Sequence, residues 1–141
     1  MNEINALDWI LQVDKLATTT HYETAATDLC DCAYCRNFVS AFPNRFPKEL
    51  LEILYEIGID PLKPFHISEV CADKDNNHRY IGNYDFIGKV VKRPNERHQI
   101  GTPFNLDILG WTPKLNIQFS VTIPWVLNEE IESVACEDLE S

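Results

Sequence analysis

Leu115, Ile117, Phe119, Val121 and Ile123 alternate with polar neighbours over nine residues. That period of two belongs to a β-strand with one face in a core and the other turned away. A chain carrying such a strand must build at least one sheet and cover one of its faces. Upstream, His66 to Cys71 and Arg79 to Lys92 also read as strands, separated by the polar run ADKDNNH, so the two are expected to form a hairpin. Asp73, Asp75, Asn76 and Asn77 in that run superficially suggest a calcium loop. The glycine and the closing glutamate that such a loop needs are missing, and a turn is the better reading.

Helical spacing appears earlier in the chain. PKELLEILYEI at 47–57 places Leu50, Leu54 and Ile57 on one face with Leu51, has Pro47 in the first turn, and ends at Gly58, a C-cap residue. CAYCRNFVSAF at 32–42 has apolar residues at 34, 35, 38, 39 and 42 and predicts a second short helix. WILQVDKL at 9–16 and THYETAA at 20–26 read as two short strands, or as one strand and an extended lead-in. The segment 92–113 holds three prolines and two glycines and predicts a long irregular loop with at most a short strand. Helices followed by strands, without βαβ alternation, imply an α+β fold: an antiparallel sheet with two short helices packed on one face or end. Gly82 and Gly88, inside the strand 79–92, mark a bulge or a close backbone approach. Tyr80, Tyr84 and Phe86 of the same strand share a face and belong to the core, while Trp111 and Trp125 read as core or interface anchors.

Cys30-Asp-Cys32-Ala-Tyr-Cys35 sets three thiols within six residues at the start of the predicted 32–42 helix. A C-x-x-C step entering a helix lets two sulfurs face one point while backbone N–H groups offset their charge, and thiolates in tetrahedral array suit one structural Zn2+ ion. A fourth ligand must come from elsewhere. Cys71, at the end of a predicted strand, is preferred over His21, His66, Cys136 and Asp31. Redox chemistry is the rival reading, because Cys32 near a helix N-terminus would have a lowered pKa, but the βαβ setting of a thioredoxin-like C-x-x-C is absent.

The charge balance restricts partners. Twelve Lys and Arg stand against 22 Asp and Glu, a net charge of −10, which repels a phosphate backbone and favours a basic protein surface. Direct nucleic-acid binding is not expected. Glu129, Glu130, Glu132, Glu137, Asp138 and Glu140 crowd the C-terminus, so the chain divides into a zinc-binding domain over 1–128 and an acidic tail over 129–141, which solvates the end or docks on a basic protein. Lys89, Lys92, Arg93, Arg97 and His98 form the one basic concentration, read as a solvated loop or a local partner for that tail. No stretch approaches the roughly 18 apolar residues of a membrane span, and the N-terminal sequence lacks signal-peptide character, so the expected location is the cytoplasm, where the five cysteines should stay out of disulfides. H-E-x-x-H, G-x-S-x-G, P-loop and G-x-G-x-x-G patterns do not occur, so a non-enzymatic protein is expected. A thiol-dependent or zinc hydrolytic enzyme is the alternative, and would keep an open metal position or a reactive Cys32.

LCDCAYCRNF at 29–38, GIDP at 58–61, RYIGNYDFIGKV at 79–90 and PWVL at 124–127 together resemble a family of small uncharacterised proteins from Gram-positive bacteria and their phages. The C-x-C-x-x-C-x-N-F run is the specific part of the resemblance, which covers most of the chain and implies no reaction. Within that setting the chain is also similar to zinc-containing anti-CRISPR proteins, phage-encoded inhibitors of type II Cas9 nucleases. That likeness implies Cas9 as the basic partner, whose nucleic-acid channels are positively charged. It does not fix the oligomeric state.

Overall fold

The computed structural model describes residues 1–95 and 104–139. Ten elements follow in the order β1 (Asn2–Ala6), β2 (Trp9–Val13), α1 (Lys15–Thr24), α2 (Ala33–Ala41), α3 (Lys48–Ile57), β3 (His66–Ala72), β4 (Asn77–Lys92), β5 (Phe104–Trp111), β6 (Lys114–Pro124) and α4 (Cys136–Leu139). The six strands make one antiparallel sheet in the order β1-β2-β4-β6-β5, with β3 also paired to β4. The expected α+β class with an antiparallel sheet is what the structure shows, with four short helices among the described residues rather than two.

β4 is the spine. Its 16 residues pair with β6 from Asn77↔Pro124 to Ile87↔Lys114. On the opposite edge they pair first with β3 and then with β2. One strand can serve two successive neighbours only where those neighbours approach closely. Gly82 and Gly88 sit at those places, and of the two expected readings a close backbone approach is what each makes: a Cβ would lie 2.4 Å from the His66 carbonyl oxygen at Gly82 and 2.3 Å from the Gln12 carbonyl oxygen at Gly88. Leu115, Ile117, Phe119, Val121 and Ile123 of β6 all face the core, together with Tyr80, Tyr84 and Phe86 of β4 and Leu50, Leu54 and Ile57 of α3. Tyr84 and Phe119 stack with ring centroids 4.9 Å apart. The ADKDNNH run is a hairpin turn: Asp73 Oδ1 accepts from the backbone N–H groups of Asp75 at 2.8 Å and Asn77 at 3.0 Å, and Asn76 takes the left-handed φ of 61°.

Two expectations are corrected. Residues 20–24 are helical, not extended, because Asp14 Oδ1 caps α1 by accepting from the Ala17 N–H at 3.0 Å. The helix is then held by tertiary bonds: Thr18 Oγ1 accepts from the Ile87 N–H at 3.0 Å, and the Tyr22 hydroxyl donates to the Asp85 carbonyl at 2.7 Å. Its β-branched threonines are poor helix formers, and packing overrides propensity here. The second correction concerns 92–113, where the eight-residue strand β5 replaces part of the expected loop, its Phe104, Leu106 and Ile108 buried against β6. Arg97 and His98 lie outside the described residues. Arg93 lies over the Trp9 ring at 5.4 Å, and Trp111 is exposed at the β5–β6 turn.

Candidate metal centre

The chain reaches α2 through 25–32, and that approach is pinned by the Asp28 carboxylate, which accepts from the Ile67 N–H of β3 at 3.1 Å and meets His66 Nδ1 at 3.2 Å. Cys32 is the N-cap of α2. Its sulfur accepts from the Cys35 N–H at 3.4 Å, where Ser, Thr or Asp would ordinarily place an oxygen. One step earlier, the Cys30 sulfur accepts from the Cys32 N–H at 3.4 Å. Two free backbone donors of the helix start are thus spent on sulfur, and the third thiol, Cys35, projects from the first turn to within 3.5 Å of Cys30 Sγ.

The three sulfurs lie within 4.8 Å of one another. A tetrahedral zinc site with bonds of about 2.3 Å sets its sulfurs about 3.8 Å apart, so this triangle needs only small adjustment to hold an ion. Cys30 and Cys32 are exposed and Cys35 is buried, which opens the triangle toward solvent on one side. Burial disfavours the Cys32 thiolate, but hydrogen bonds from Cys30 and Cys35 and from the Tyr34 backbone outweigh it and hold the thiol below its ordinary pKa. Burial pushes the Cys35 thiol up to about 12, helped by its proximity to the other two sulfurs. Three cysteines this close can share a metal ion, which would draw the proton from each sulfur as it binds.

The fourth ligand is where the structure departs from expectation. Cys71 is not at the cluster. Its sulfur is bonded to Cys136, 65 residues away, because the Ala72↔Ala135 bridge brings the two Cα atoms to 4.9 Å. A sulfur in a disulfide is no thiolate, so Cys71 and Cys136 both leave the ligand set, and the expectation that cysteines here avoid disulfides is corrected. His66, His21 and Asp31 do not replace them. His66 pairs with Asp28, His21 packs edge-on against Tyr22 with centroids 5.1 Å apart, and the Asp31 side chain is fully exposed, 4.0 Å from Arg36. Among the described residues, no fourth His, Cys, Asp or Glu joins the three thiols.

The acidic C-terminal segment belongs to the body over its described part. Glu129 grips Arg36 of α2 with two hydrogen bonds, of 2.5 and 3.1 Å. The Tyr34 hydroxyl donates to the Glu132 carbonyl at 2.5 Å, and the Ala72 N–H donates to the Val134 carbonyl at 2.8 Å. The expected division at 128 therefore does not separate a free tail, since 129–138 form a strap tied to α2, to β3 and, by the disulfide, to Cys71. Arg36 and Lys74 anchor it among the described residues.

Asn37, Glu69, His78 and Ser133, given no role in this site from the sequence, stand behind this arrangement beside the foreseen Tyr80 and Trp125. Asn37, fully buried on α2, donates through Nδ2 to the Pro124 carbonyl at 3.2 Å and accepts at Oδ1 from the Val126 N–H at 2.7 Å. It turns the chain from β6 into the strap, and the Tyr80 hydroxyl donates to the Tyr34 carbonyl at 2.7 Å beside it. Under the strap, buried His78 Nδ1 lies 2.9 Å from Glu69 Oε2, Trp125 covers the His78 ring at 4.8 Å, and Ser133 donates its hydroxyl to the same glutamate oxygen. Only the buried polar character of these residues could have signalled them, and burial is not visible in a single sequence. No helix among the described residues is long and apolar enough to cross a membrane. No protein-family model, curated protein or solved structure matches the chain.

Proposed function

We propose that this is a zinc-binding interaction protein without a reaction of its own, in which one ion held by Cys30, Cys32 and Cys35 fixes the start of α2 and so organises an acidic surface that docks on a basic protein. The convergence of three thiol sulfurs within 4.8 Å at one helix N-terminus carries this reading. An all-thiolate donor set favours zinc over magnesium or calcium. Arg36 and Tyr34 lie between and beside the ligands and hold the strap, so a metal that fixes the first turn of α2 also fixes Glu129 and Glu132. With a net charge of −10, a basic partner is drawn in from a distance and the complex is sensitive to salt.

Cas9 is the specific partner that the resemblance suggests, and the protein would then act by blocking DNA targeting. The test has two parts. Metal analysis should give one zinc per chain, lost in Cys32→Ser plus Cys35→Ser. Purified Cas9 should then bind the zinc-loaded protein and lose DNA cleavage, with affinity falling as salt rises. Zinc-loaded, folded protein that leaves Cas9 untouched removes that partner and leaves the metal-stabilised module with another one.

The low pKa and exposure of Cys32, with Cys30 and Cys35 sulfurs 3.5 Å apart, favour thiol redox chemistry as the second reading. Metal-free, folded protein that cycles between three free thiols and a disulfide within 30–35 would establish it instead.

A further inference from the structure

Zinc ions that only stabilise a fold are normally enclosed by four protein donors, whereas ions with three keep a position for another molecule. Resting on the zinc reading above, we propose that the metal held by Cys30, Cys32 and Cys35 keeps an exchangeable fourth position, and that this position takes a neutral nitrogen donor, the imidazole of a histidine on another molecule. Two observations carry it. Among the described residues no fourth donor reaches the three sulfurs, and the triangle faces solvent through exposed Cys30 and Cys32.

The choice of donor follows from charge. A divalent ion on three thiolates bears a net charge of −1, in a chain whose own net charge is −10. Among the described residues, the donors at the cluster are already occupied: the Cys32 and Cys35 N–H groups bond to sulfur, and the Arg36 guanidinium is gripped by Glu129. Carboxylate and phosphate are therefore opposed, while a neutral imidazole adds no charge and is a preferred zinc ligand. The described histidines of this chain do not supply it, since His78 is buried against Glu69 and Asn76, His66 is paired with Asp28, and His21 packs on Tyr22. Binding exchanges a metal-bound water for the imidazole nitrogen, with no redox change. A partner presenting an exposed histidine in a basic surface would satisfy both the coordination and the electrostatics.

The test loads the full chain with Co2+ in place of zinc and follows its visible absorption while imidazole is added, with acetate and phosphate at equal concentration as controls. The expected result is a saturable shift of the bands with imidazole, no shift with acetate or phosphate, and the same behaviour in His98→Ala. Bands that ignore imidazole show a site closed by four protein donors and overturn the proposal. So does a shift seen in His98→Ala and absent from the unmodified chain, which makes His98 the resident ligand. Absence of any Co2+ uptake, read from the same titration, defeats the zinc reading itself and is distinct from both.

Discussion

Asn37 offers the sharpest test of how α2, the helix of the cysteine cluster, is joined to the sheet. Its side chain is fully buried and satisfies two main-chain groups at the exit of β6, the Pro124 carbonyl at 3.2 Å and the Val126 N–H at 2.7 Å. Asn37→Ala removes the partner of both at a fully buried side chain, on bonds that are themselves part-buried. Each unsatisfied group costs about 1–3 kcal/mol when buried, so the pair costs about 2–6 kcal/mol of a total stability on the order of 5–15 kcal/mol. For a chain of this size that lowers Tm by about 10 °C. Asn37→Asp should do no better, because its carboxylate can accept from Val126 but presents a second oxygen to the Pro124 carbonyl and brings a buried charge. Urea unfolding followed by far-UV circular dichroism, with the slope compared between variants, reads the loss. Any zinc bound at the three thiols should be retained by the folded variant, since the hydrogen bonds of Asn37 go to Tyr80, Pro124 and Val126. A loss under about 1 kcal/mol for Asn37→Ala would mean that Pro124 and Val126 find other partners, and the clamp between α2 and the strap would have to be assigned elsewhere.

Three further outcomes are expected. In metal-free protein, limited iodoacetamide treatment near neutral pH should modify Cys32 first and Cys35 last, as read by peptide mass mapping, because the exposed Cys32 thiol is held below its ordinary pKa while burial pushes Cys35 up to about 12; equal labelling of the two would contradict that ordering. Cys71→Ser plus Cys136→Ser should lower unfolding stability by up to about 4 kcal/mol, the loop-closure value for a separation of 65 residues, and should speed hydrogen exchange in 129–138, whereas an unchanged denaturation midpoint would show that the crosslink does not constrain the chain. Gly88→Ala forces a methyl group to 2.3 Å from the Gln12 carbonyl and should cost about 1–3 kcal/mol by parting β2 from β4, so a variant as stable as the parent in a thermal melt would refute the close approach.

The parts of this fold that could be read from the sequence are those whose signal is local. β6 announces itself because its five apolar residues alternate without a break, and α3 because Pro47, the Leu50/Leu54/Ile57 stripe and Gly58 agree with one another. The three thiols are equally local, six residues at one helix cap. What could not be read is held by partners far away in the chain. α1 looks extended by composition and is helical because Thr18 and Tyr22 find Ile87 and Asp85, more than 60 residues on. β5 does carry its own alternation at Phe104, Leu106 and Ile108, but the glycines and prolines around it argued for a loop. The acidic end shows the same limit from the other side: six like charges read as a solvated tail, yet Glu129 meets the guanidinium of Arg36, 93 residues earlier, and Cys136 meets Cys71.

That pattern bears on what an ion at the three thiols would do. α2 makes no cap with an oxygen side chain, and Cys32 fills that position with sulfur, a weaker acceptor. Its outward residues Tyr34 and Arg36 hold the strap, while its inward residues Asn37 and Phe38 hold the sheet. A helix of nine residues is marginal by itself. An ion that closes Cys30, Cys32 and Cys35 would lock its first turn from outside, and both sets of contacts depend on that turn. Removing the ion should therefore loosen the strap before it unfolds the sheet: with chelator, exchange protection is expected to fall in 30–41 and 129–138 while β4 and β6, paired along eleven positions, stay protected. Simultaneous loss across all four segments would instead make the ion a condition for folding the whole domain.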